Sequence, residues 1–213
     1  MLTLHTWMRA TDEAPFARFF AGHRDLRVIN ARFGAPVPAE ADGVMITGGP
    51  DIAAAFHARL LGDPALIREP EAARDEWEFG ALRQAIERGI PVLCVCKGMQ
   101  VLNILLGGTL HLHISGHEAP EQRLQNIQGL RTASTAAHRY ERVNSSHHQA
   151  LAEVAPGLTV EAWCEEDGVI EQVRMSDYPW GLGVQYHPER DVQYCGLFED
   201  FVGQIRRHAA DSR

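Results

Sequence analysis

The residue best suited to chemistry is Cys96, which directly follows the apolar run Val92–Val95 and precedes Lys97 and Gly98. At the start of a helix, the free N–H groups and the positive end of the dipole favour a thiolate. The small-x-nucleophile-x-Gly pattern is typical of a nucleophile elbow, in which the amide of the next residue helps to stabilise an oxyanion. A cysteine at such a turn can also be a small buried hydrophobic residue. The segment alone leaves both interpretations open.

A base and an acid for this thiol are available late in the chain, where His187, Pro188 and Glu189 follow the strand-like run Gly181–Gln185. Proline favours an extended conformation at the residue before it, and in extended backbone residues i and i+2 point the same way. Glu189 can then orient the His187 ring and stabilise its protonated form, as the acid of a catalytic triad does. A cysteine elbow combined with this His-x-Glu predicts nucleophilic catalysis by Cys96.

A third candidate element is the segment Ile46–Pro50, in which two glycines follow a strand-like run. Glycine lets a backbone amide point into a site without an intervening side chain. The amide of Gly49 is therefore a candidate second oxyanion donor beside that of Lys97. An ordinary Gly-Pro turn is the alternative, and a phosphate-binding loop is excluded because no Gly-Lys-Ser/Thr follows.

The elements that must position these residues alternate between strand and helix through the first half of the chain. Strands are predicted at Leu2–Trp7, Leu26–Asn30, Gly43–Thr47 and Ile90–Val95, and helices at Ala14–His23, at Glu71–Arg88 and after Cys96. The continuously apolar run before Cys96 is typical of a strand covered on both faces. This order predicts a right-handed, mostly parallel α/β sheet, whose ligands bind at the carboxyl ends of the strands.

The second half of the chain predicts closely spaced, added antiparallel strands. Candidates are Tyr140–Asn144, Leu158–Cys164, Val169–Arg174 and Gly181–Gln185, followed by a final helix over about Tyr194–Ala209. Residues 52–70 and 115–139 are expected to form loop-rich surface. The helices should flank the central sheet.

Composition excludes several classes of protein. The 213 residues contain 23% charged and 45% hydrophobic residues, which are globular values, and the formal net charge is −8. The negative charge disfavours nucleic acid and anionic membranes as partners. No apolar run approaches 18 residues, and the first residues do not resemble a secretion signal. We expect a single domain over residues 1–213 in the cytoplasm, where its four cysteines would be reduced.

Five sequence elements together resemble the class I glutamine amidotransferase superfamily, most closely its γ-glutamyl-γ-aminobutyrate hydrolase (peptidase C26) branch. They are Thr47–Pro50, Val95–Gln100, Leu106–His111, Val143–Gln149 and Gly183–Glu189. The resemblance implies a flavodoxin-like fold, a triad of Cys96, His187 and Glu189, and an oxyanion hole formed by the amides of Gly49 and Lys97. It also implies that Gln100, Asn144, Ser145 and His147 hold the glutamyl head group.

Three departures from the superfamily pattern are visible. Cys94 stands where glycine or alanine is common, and Lys97 stands where the hydrolase branch usually has arginine. The side chain of Lys97 is discounted because only its backbone would serve the oxyanion. The N-terminal region is only loosely similar to the family, so contacts to the leaving group are expected from loops such as 52–70 and 115–139.

The resemblance favours a hydrolase that cleaves the γ-glutamyl amide bond of a small γ-glutamyl amine through a glutamyl thioester. The alternative is a stand-alone glutaminase subunit that delivers ammonia to a separate synthetase, and a non-enzymatic binding module is a third hypothesis. The expected partner is a small-molecule substrate, with a homo-oligomer possible and the synthetase as partner only under the alternative.

No cofactor and no metal are expected. A zinc site at His111, His113 and His117 with Cys164 or Cys195 is the metal-binding alternative. The chain contains eleven histidines, so chance clusters are common and zinc is disfavoured.

Overall fold

The computed structural model describes residues 1–34 and 40–211 of the chain. Within them the strands are β1 (Leu2–Trp7), β2 (Leu26–Asn30), β3 (Gly43–Ile46), β4 (Val92–Val95), β5 (Leu110–His111), β6 (Gln128–Thr132), β7 (Arg142–Val143), β8 (Ala150–Leu151), β9 (Leu158–Cys164), β10 (Ile170–Met175) and β11 (Gly181–Val184). The helices are α1 (Ala10–Phe20), α2 (Ala72–Glu87), α3 (Lys97–Leu105) and α4 (Cys195–Asp211).

Nine of these strands form one sheet in the order β2-β1-β3-β4-β11-β10-β9-β6-β7. The pairs from β2 to β11 are parallel, and the pairs from β11 to β7 are antiparallel. The mostly parallel α/β fold predicted from the sequence is confirmed. The neighbouring strands β3, β4 and β11 all end at the same edge, which brings residues 47–49, 96 and 185–187 to one place.

The helices cover both faces of the sheet, because residues of the central strands alternate between two apolar clusters. One cluster packs Met45, Leu93 and Val95 against aromatic residues of α1 and α4. The other packs Ile46 and Cys94 against α2 and α3. Strands buried on both faces explain the continuous apolar runs in the sequence.

The boundaries of several elements agree with the sequence predictions, and β1, β2 and β9 coincide with them. The prediction that residues 115–139 form loop-rich surface is wrong for β6, which pairs with β9 inside the main sheet and buries Leu130. The β6 segment has a weak apolar pattern, so its pairing with β9 decides its conformation. Residues 52–70 contain two short 3₁₀ turns, Ala54–Phe56 and Pro64–Leu66.

None of the helices among the described residues has both the length and the apolar character needed to cross a bilayer.

Candidate active site

Cys96 lies on the turn between β4 and α3 in a backbone conformation that side chains rarely adopt, with φ 51° and ψ −106°. Its amide donates a hydrogen bond of 2.7 Å to the carbonyl of Val184 in β11, and this bond fixes the turn against the neighbouring strand. Gly98 makes the turn possible because a Cβ at this position would collide with the carbonyl oxygen of Ile46. Such a strained strand-to-helix turn is the geometry of a nucleophile elbow.

His187 and Glu189 lie beside this turn at the end of β11. Nδ1 of His187 is 2.7 Å from Oε1 of Glu189, and both side chains are buried. The side chain of Asn144 holds the backbone of His187 from both sides: its Oδ1 accepts from the amide at 3.0 Å, and its Nδ2 donates to the carbonyl at 2.9 Å. The backbone of His187 is thereby fixed, and its ring lies close enough to Cys96 to lower the pKa of that thiol.

The pKa values of Cys96, His187 and Glu189 are all shifted, because each charged group stabilises its neighbour. Burial would raise the pKa of Cys96, but the charge and hydrogen bond of His187 lower it below its ordinary value. Burial would lower the pKa of His187, but Glu189 and Cys96 raise it to about 9. Burial would also raise the pKa of Glu189, and the charge of His187 lowers it instead. The arrangement therefore favours a thiolate–imidazolium pair with an ionised carboxylate behind it.

The glycine segment after β3 lies against the same two side chains. A Cβ on Gly48 would be 2.7 Å from Cε1 of His187 and 3.6 Å from Cβ of Cys96. Gly49 lines the cavity that contains Cys96, together with Lys97. The structure thus brings the two predicted oxyanion residues, Gly49 and Lys97, to the same cavity as Cys96, and their role stays a prediction.

A buried network of four charged side chains supports both loops. The guanidinium of Arg74 donates to the carbonyl of Gly48 at 2.8 Å and to Glu78 at 2.7 Å. The ammonium of Lys97 lies 2.5 Å from Asp75 and 2.8 Å from Glu78. The two positive charges and two negative charges offset each other, as buried charges require. The side chain of Lys97, to which the sequence analysis gave no role, therefore links the turn at Cys96 to α2.

The cavity beside Cys96 has a volume of about 200 Å³, which suits a small head group. Its lining is mostly polar and charged, and comes from Gly49–Asp51, Arg68, Glu69, Cys96, Lys97, Gln100, Glu118 and Ser146–Gln149. Nε2 of Gln100 donates to the carbonyl of Gln149 at 3.2 Å and to Oε1 of Gln185, also at 3.2 Å. Gln185 in turn places its own Nε2 at 3.5 Å from Sγ of Cys96.

The four residues predicted to hold the head group separate into three positions. Gln100 and His147 line the cavity of Cys96. Asn144 is fully buried and contacts the backbone of His187 instead of lining that cavity. Ser145 lines a second cavity, of about 250 Å³, and donates to the carbonyl of His117 at 3.1 Å. Their contact with a substrate stays a prediction.

His147 has a partner on each side of its ring. Nδ1 lies 2.9 Å from the carbonyl of Gln149, and Nε2 lies 3.4 Å from Glu171 in β10. Burial would lower the pKa of His147, but the contact with Glu171 raises it above its ordinary value.

Several residues of this site were not predicted from the sequence, and Asp51 is the most connected of them. One of its carboxylate oxygens accepts hydrogen bonds from the amide of Arg68 at 2.7 Å and from Gln149 at 3.1 Å. The other oxygen lies 2.9 Å from Nε2 of His148. These partners come from distant segments of the chain, so no local pattern points to Asp51.

Other unpredicted residues did carry a signal in the sequence. Gln185 lies two residues before His187 near the end of β11, so its side chain is placed toward the same edge of the sheet. Arg74 and Glu78 are four residues apart on one helix, which is the spacing of an ion pair.

Comparison with known proteins agrees with this fold. A crystal structure from Thermoplasma acidophilum, provisionally described as one of the subunits of GMP synthase, superimposes with a TM-score of 0.72 at 14% identity and covers 100% of this chain and 98% of its own. This likeness concerns the fold alone.

Similarities in sequence are more specific. A family model described as Peptidase C26 matches residues 35–189, so the chain belongs to the peptidase C26 family. A protein of Mycobacterium tuberculosis, provisionally named a glutamine amidotransferase, is 38% identical over 78% of this chain and 56% of its own length. The chain therefore spans little more than half of that relative. The γ-glutamyl-γ-aminobutyrate hydrolase PuuD of Escherichia coli is 29% identical over 81% of this chain and 75% of its own. These relatives support an amidohydrolase.

Proposed function

We propose that the protein hydrolyses the γ-glutamyl amide bond of a small γ-glutamyl amine, with Cys96 as nucleophile, His187 as base and acid, and Glu189 as the group that orients His187. The observation that carries this proposal is the strained turn at Cys96 beside His187, whose Nδ1 lies 2.7 Å from Oε1 of Glu189. Membership of the peptidase C26 family supports the same class of reaction.

In the first half of the reaction, the thiolate of Cys96 attacks the δ-carbonyl carbon, and the carbonyl electron pair moves onto oxygen. In this proposal the amides of Gly49 and Lys97, which line the same cavity, donate hydrogen bonds to that oxyanion. As the C–N bond breaks, the imidazolium of His187 gives its proton to the departing amine. Loss of one oxyanion donor typically raises the barrier by about 3–4 kcal/mol, so these two amides matter strongly.

In the second half, water attacks the glutamyl thioester, and His187 accepts the proton that the water loses. The C–S bond breaks, glutamate leaves, and the thiolate–imidazolium pair is restored. Glu189 stays ionised throughout and stabilises the imidazolium, which is the role of the acid in a triad.

The glutamyl head group fits the polar cavity beside Cys96. Gln100 and His147 line it among other polar and charged residues, and the α-carboxylate and α-ammonium of the substrate need polar surroundings of this kind. Asn144 contributes through the backbone of His187, which it holds in place. The leaving amine would extend toward Arg68 and Glu118, which pair at 2.9 Å across the cavity rim and join the two loops expected to set specificity.

The test is a panel of γ-glutamyl amides, with free glutamine included, offered to the purified chain. We expect glutamate release from amides larger than glutamine and a transient mass increase of one glutamyl group on the peptide that contains Cys96. Cys96→Ala should abolish both signals, while Cys195→Ala, which changes an exposed cysteine, should keep them. Full activity of Cys96→Ala would overturn the proposal.

The same panel distinguishes the hydrolase from the alternative, a glutaminase subunit that donates ammonia to a synthetase. A glutaminase subunit would use glutamine in preference to larger amides and would turn over slowly without its synthetase. Preference for glutamine would therefore replace the hydrolase proposal while leaving the roles of Cys96, His187 and Glu189 in place. A small-molecule substrate is the partner that the hydrolase proposal requires.

A further inference from the structure

Glu171 in β10 is a buried carboxylate that nothing in the proposed reaction explains. Its side chain is fully buried, and neither of its oxygens accepts a hydrogen bond from any residue among those described. Two histidine nitrogens face its Oε1: Nε2 of His147 at 3.4 Å and Nδ1 of His117 at 3.5 Å. Burying an ionised carboxylate without donors is strongly unfavourable, so Glu171 is either protonated or has positive charge beside it, and the two histidines are where that charge would lie.

The outer nitrogens of both rings are already engaged. Nε2 of His117 lies 2.9 Å from Oδ2 of Asp167, and Nδ1 of His147 lies 2.9 Å from the carbonyl of Gln149. These contacts place an N–H on the outer side of each ring, so that the inner nitrogens, Nε2 of His147 and Nδ1 of His117, face Glu171. Nδ1 of His117 also lies 3.2 Å from Oγ of Ser145, a contact that a bound ion would replace. Metal-binding histidines nearly always show this pattern, in which a carboxylate or a carbonyl accepts from the second nitrogen.

The separations also suit a metal ion. Tetrahedral coordination with metal–ligand bonds of about 2.0–2.1 Å puts neighbouring ligand atoms about 3.3–3.4 Å apart. The two distances to Glu171 lie close to this value, and the three ligand atoms all lie within 4.8 Å of one another. Protonating both inner nitrogens would supply the same charge, but it would set two imidazolium rings 4.7 Å apart. One divalent ion would avoid that repulsion and contact all three groups.

The backbone holds the ligands in place before any ion binds. The amide of His147 donates to the carbonyl of His117 at 3.0 Å, beside a bridge between Glu118 and Ser146. Glu171, the third ligand, belongs to strand β10 of the main sheet. His117 borders the 250 Å³ cavity and His147 borders the cavity of Cys96, so an ion could enter from either side.

We propose that His117, His147 and Glu171 form a binding site for a divalent transition-metal ion of the zinc type. Two imidazoles and one carboxylate are a ligand set that zinc accepts, and they leave one position for water. The proposal departs from the expectation drawn from the sequence, which disfavoured zinc and grouped His117 with His111 and His113. His111 and His113 are exposed, and among the described residues neither lies in a cluster of candidate metal ligands.

The test measures metal content and affinity in the full chain, and uses Cys96→Ser throughout so that the reactive thiolate cannot bind the metal. The protein is stripped with a chelator, titrated with Zn²⁺, and titrated separately with Co²⁺ to record the visible absorption of a tetrahedral site. We expect one equivalent per chain. Glu171→Gln and His117→Asn should abolish saturable binding, and Asp167→Asn should weaken it by about 10- to 100-fold because it removes only the outer partner of His117.

Two controls make the result decisive. His111→Asn changes an exposed histidine nearby and should bind like the parent protein. Asp167 is partly exposed, so Asp167→Asn tests the site even if Glu171→Gln fails to fold. Absence of saturable binding by the parent protein, or equal affinity in the parent and Asp167→Asn proteins, would overturn the proposal and leave a protonated His147–Glu171 ion pair. The outcome is independent of whether the chain cleaves γ-glutamyl amides.

Discussion

The ammonium group of Lys97 lies 2.5 Å from Oδ1 of Asp75, although the backbone of Lys97 directly follows Cys96. Asp75 belongs to α2, as do Arg74 and Glu78, and Arg74 reaches the carbonyl of Gly48 at 2.8 Å. One buried ion network thus holds the two loops whose amides flank Cys96. The side chain of Lys97 therefore ties the turn at Cys96 to α2.

Lys97→Met should destabilise the protein by about 3–5 kcal/mol, because it leaves two buried carboxylates with one positive charge between them. Urea unfolding followed by circular dichroism measures this loss. Arg83→Met, at an exposed position of the same helix as Asp75, should change the free energy of unfolding by less than about 0.5 kcal/mol. A loss below about 1 kcal/mol for Lys97→Met would show that the network is dispensable.

Glu189→Gln should reduce kcat about 10³- to 10⁴-fold, because the amide no longer stabilises the imidazolium and no longer enforces the correct tautomer of His187. Steady-state kinetics on the best substrate of the amide panel would check this. Glu199→Gln, on the exposed side of α4, is the matched control and should leave kcat unchanged. A fall of less than tenfold for Glu189→Gln would remove this residue from the proposed triad.

The pH dependence of kcat/KM should be bell-shaped. The thiolate of Cys96 is lost as the pH falls through its lowered pKa, and the proton of His187 is lost as the pH rises through its pKa of about 9. Because Cys96 and His187 interact, the two apparent pKa values of the profile describe the pair and not either residue alone. Because Glu189 contributes most to raising the pKa of His187, the alkaline limb should move to lower pH in Glu189→Gln.

An alkaline limb that stays in place in Glu189→Gln would contradict this assignment. Alkylation by iodoacetamide offers a second measurement of the acid limb. Modification of Cys96 should continue below the pH range of ordinary thiols, while the exposed Cys195 serves as the internal comparison.

Gly48→Ala should lower kcat about 100-fold, because the new methyl group would lie 2.7 Å from Cε1 of His187 and would displace the ring. Kinetics and thermal unfolding should be measured together, so that a displaced ring is distinguished from an unfolded chain. Gly196→Ala meets no atom within 4 Å and should keep full activity. Unchanged kcat in Gly48→Ala would mean that the His187 ring can shift away from the new methyl group without loss of activity.

Much of the fold followed from local patterns. Continuous apolar runs marked the central strands, and the glycine and cysteine positions marked the turns at their ends. That Cys96, His187 and Gly49 would meet was implied by the family resemblance. The strand before His187 was expected among the added antiparallel strands; β11 does pair antiparallel with β10, but it also pairs parallel with β4, which the local pattern did not indicate. Strand β6 could not be predicted in this way, since its pairing with β9 decides its conformation.

The amino-acid sequence by itself determined the alternation of strands and helices, the turn at Cys96 and the His-x-Glu at the end of β11, because each depends on residues that are neighbours in the chain. Only the tertiary structure decided where the charged side chains went. Lys97 belongs to a residue type that is usually exposed, and it is buried here because Asp75 and Glu78 of α2, more than fifteen residues away in the chain, offset its charge. Burial and charge pairing depend on which segments meet, and that is a property of the folded chain.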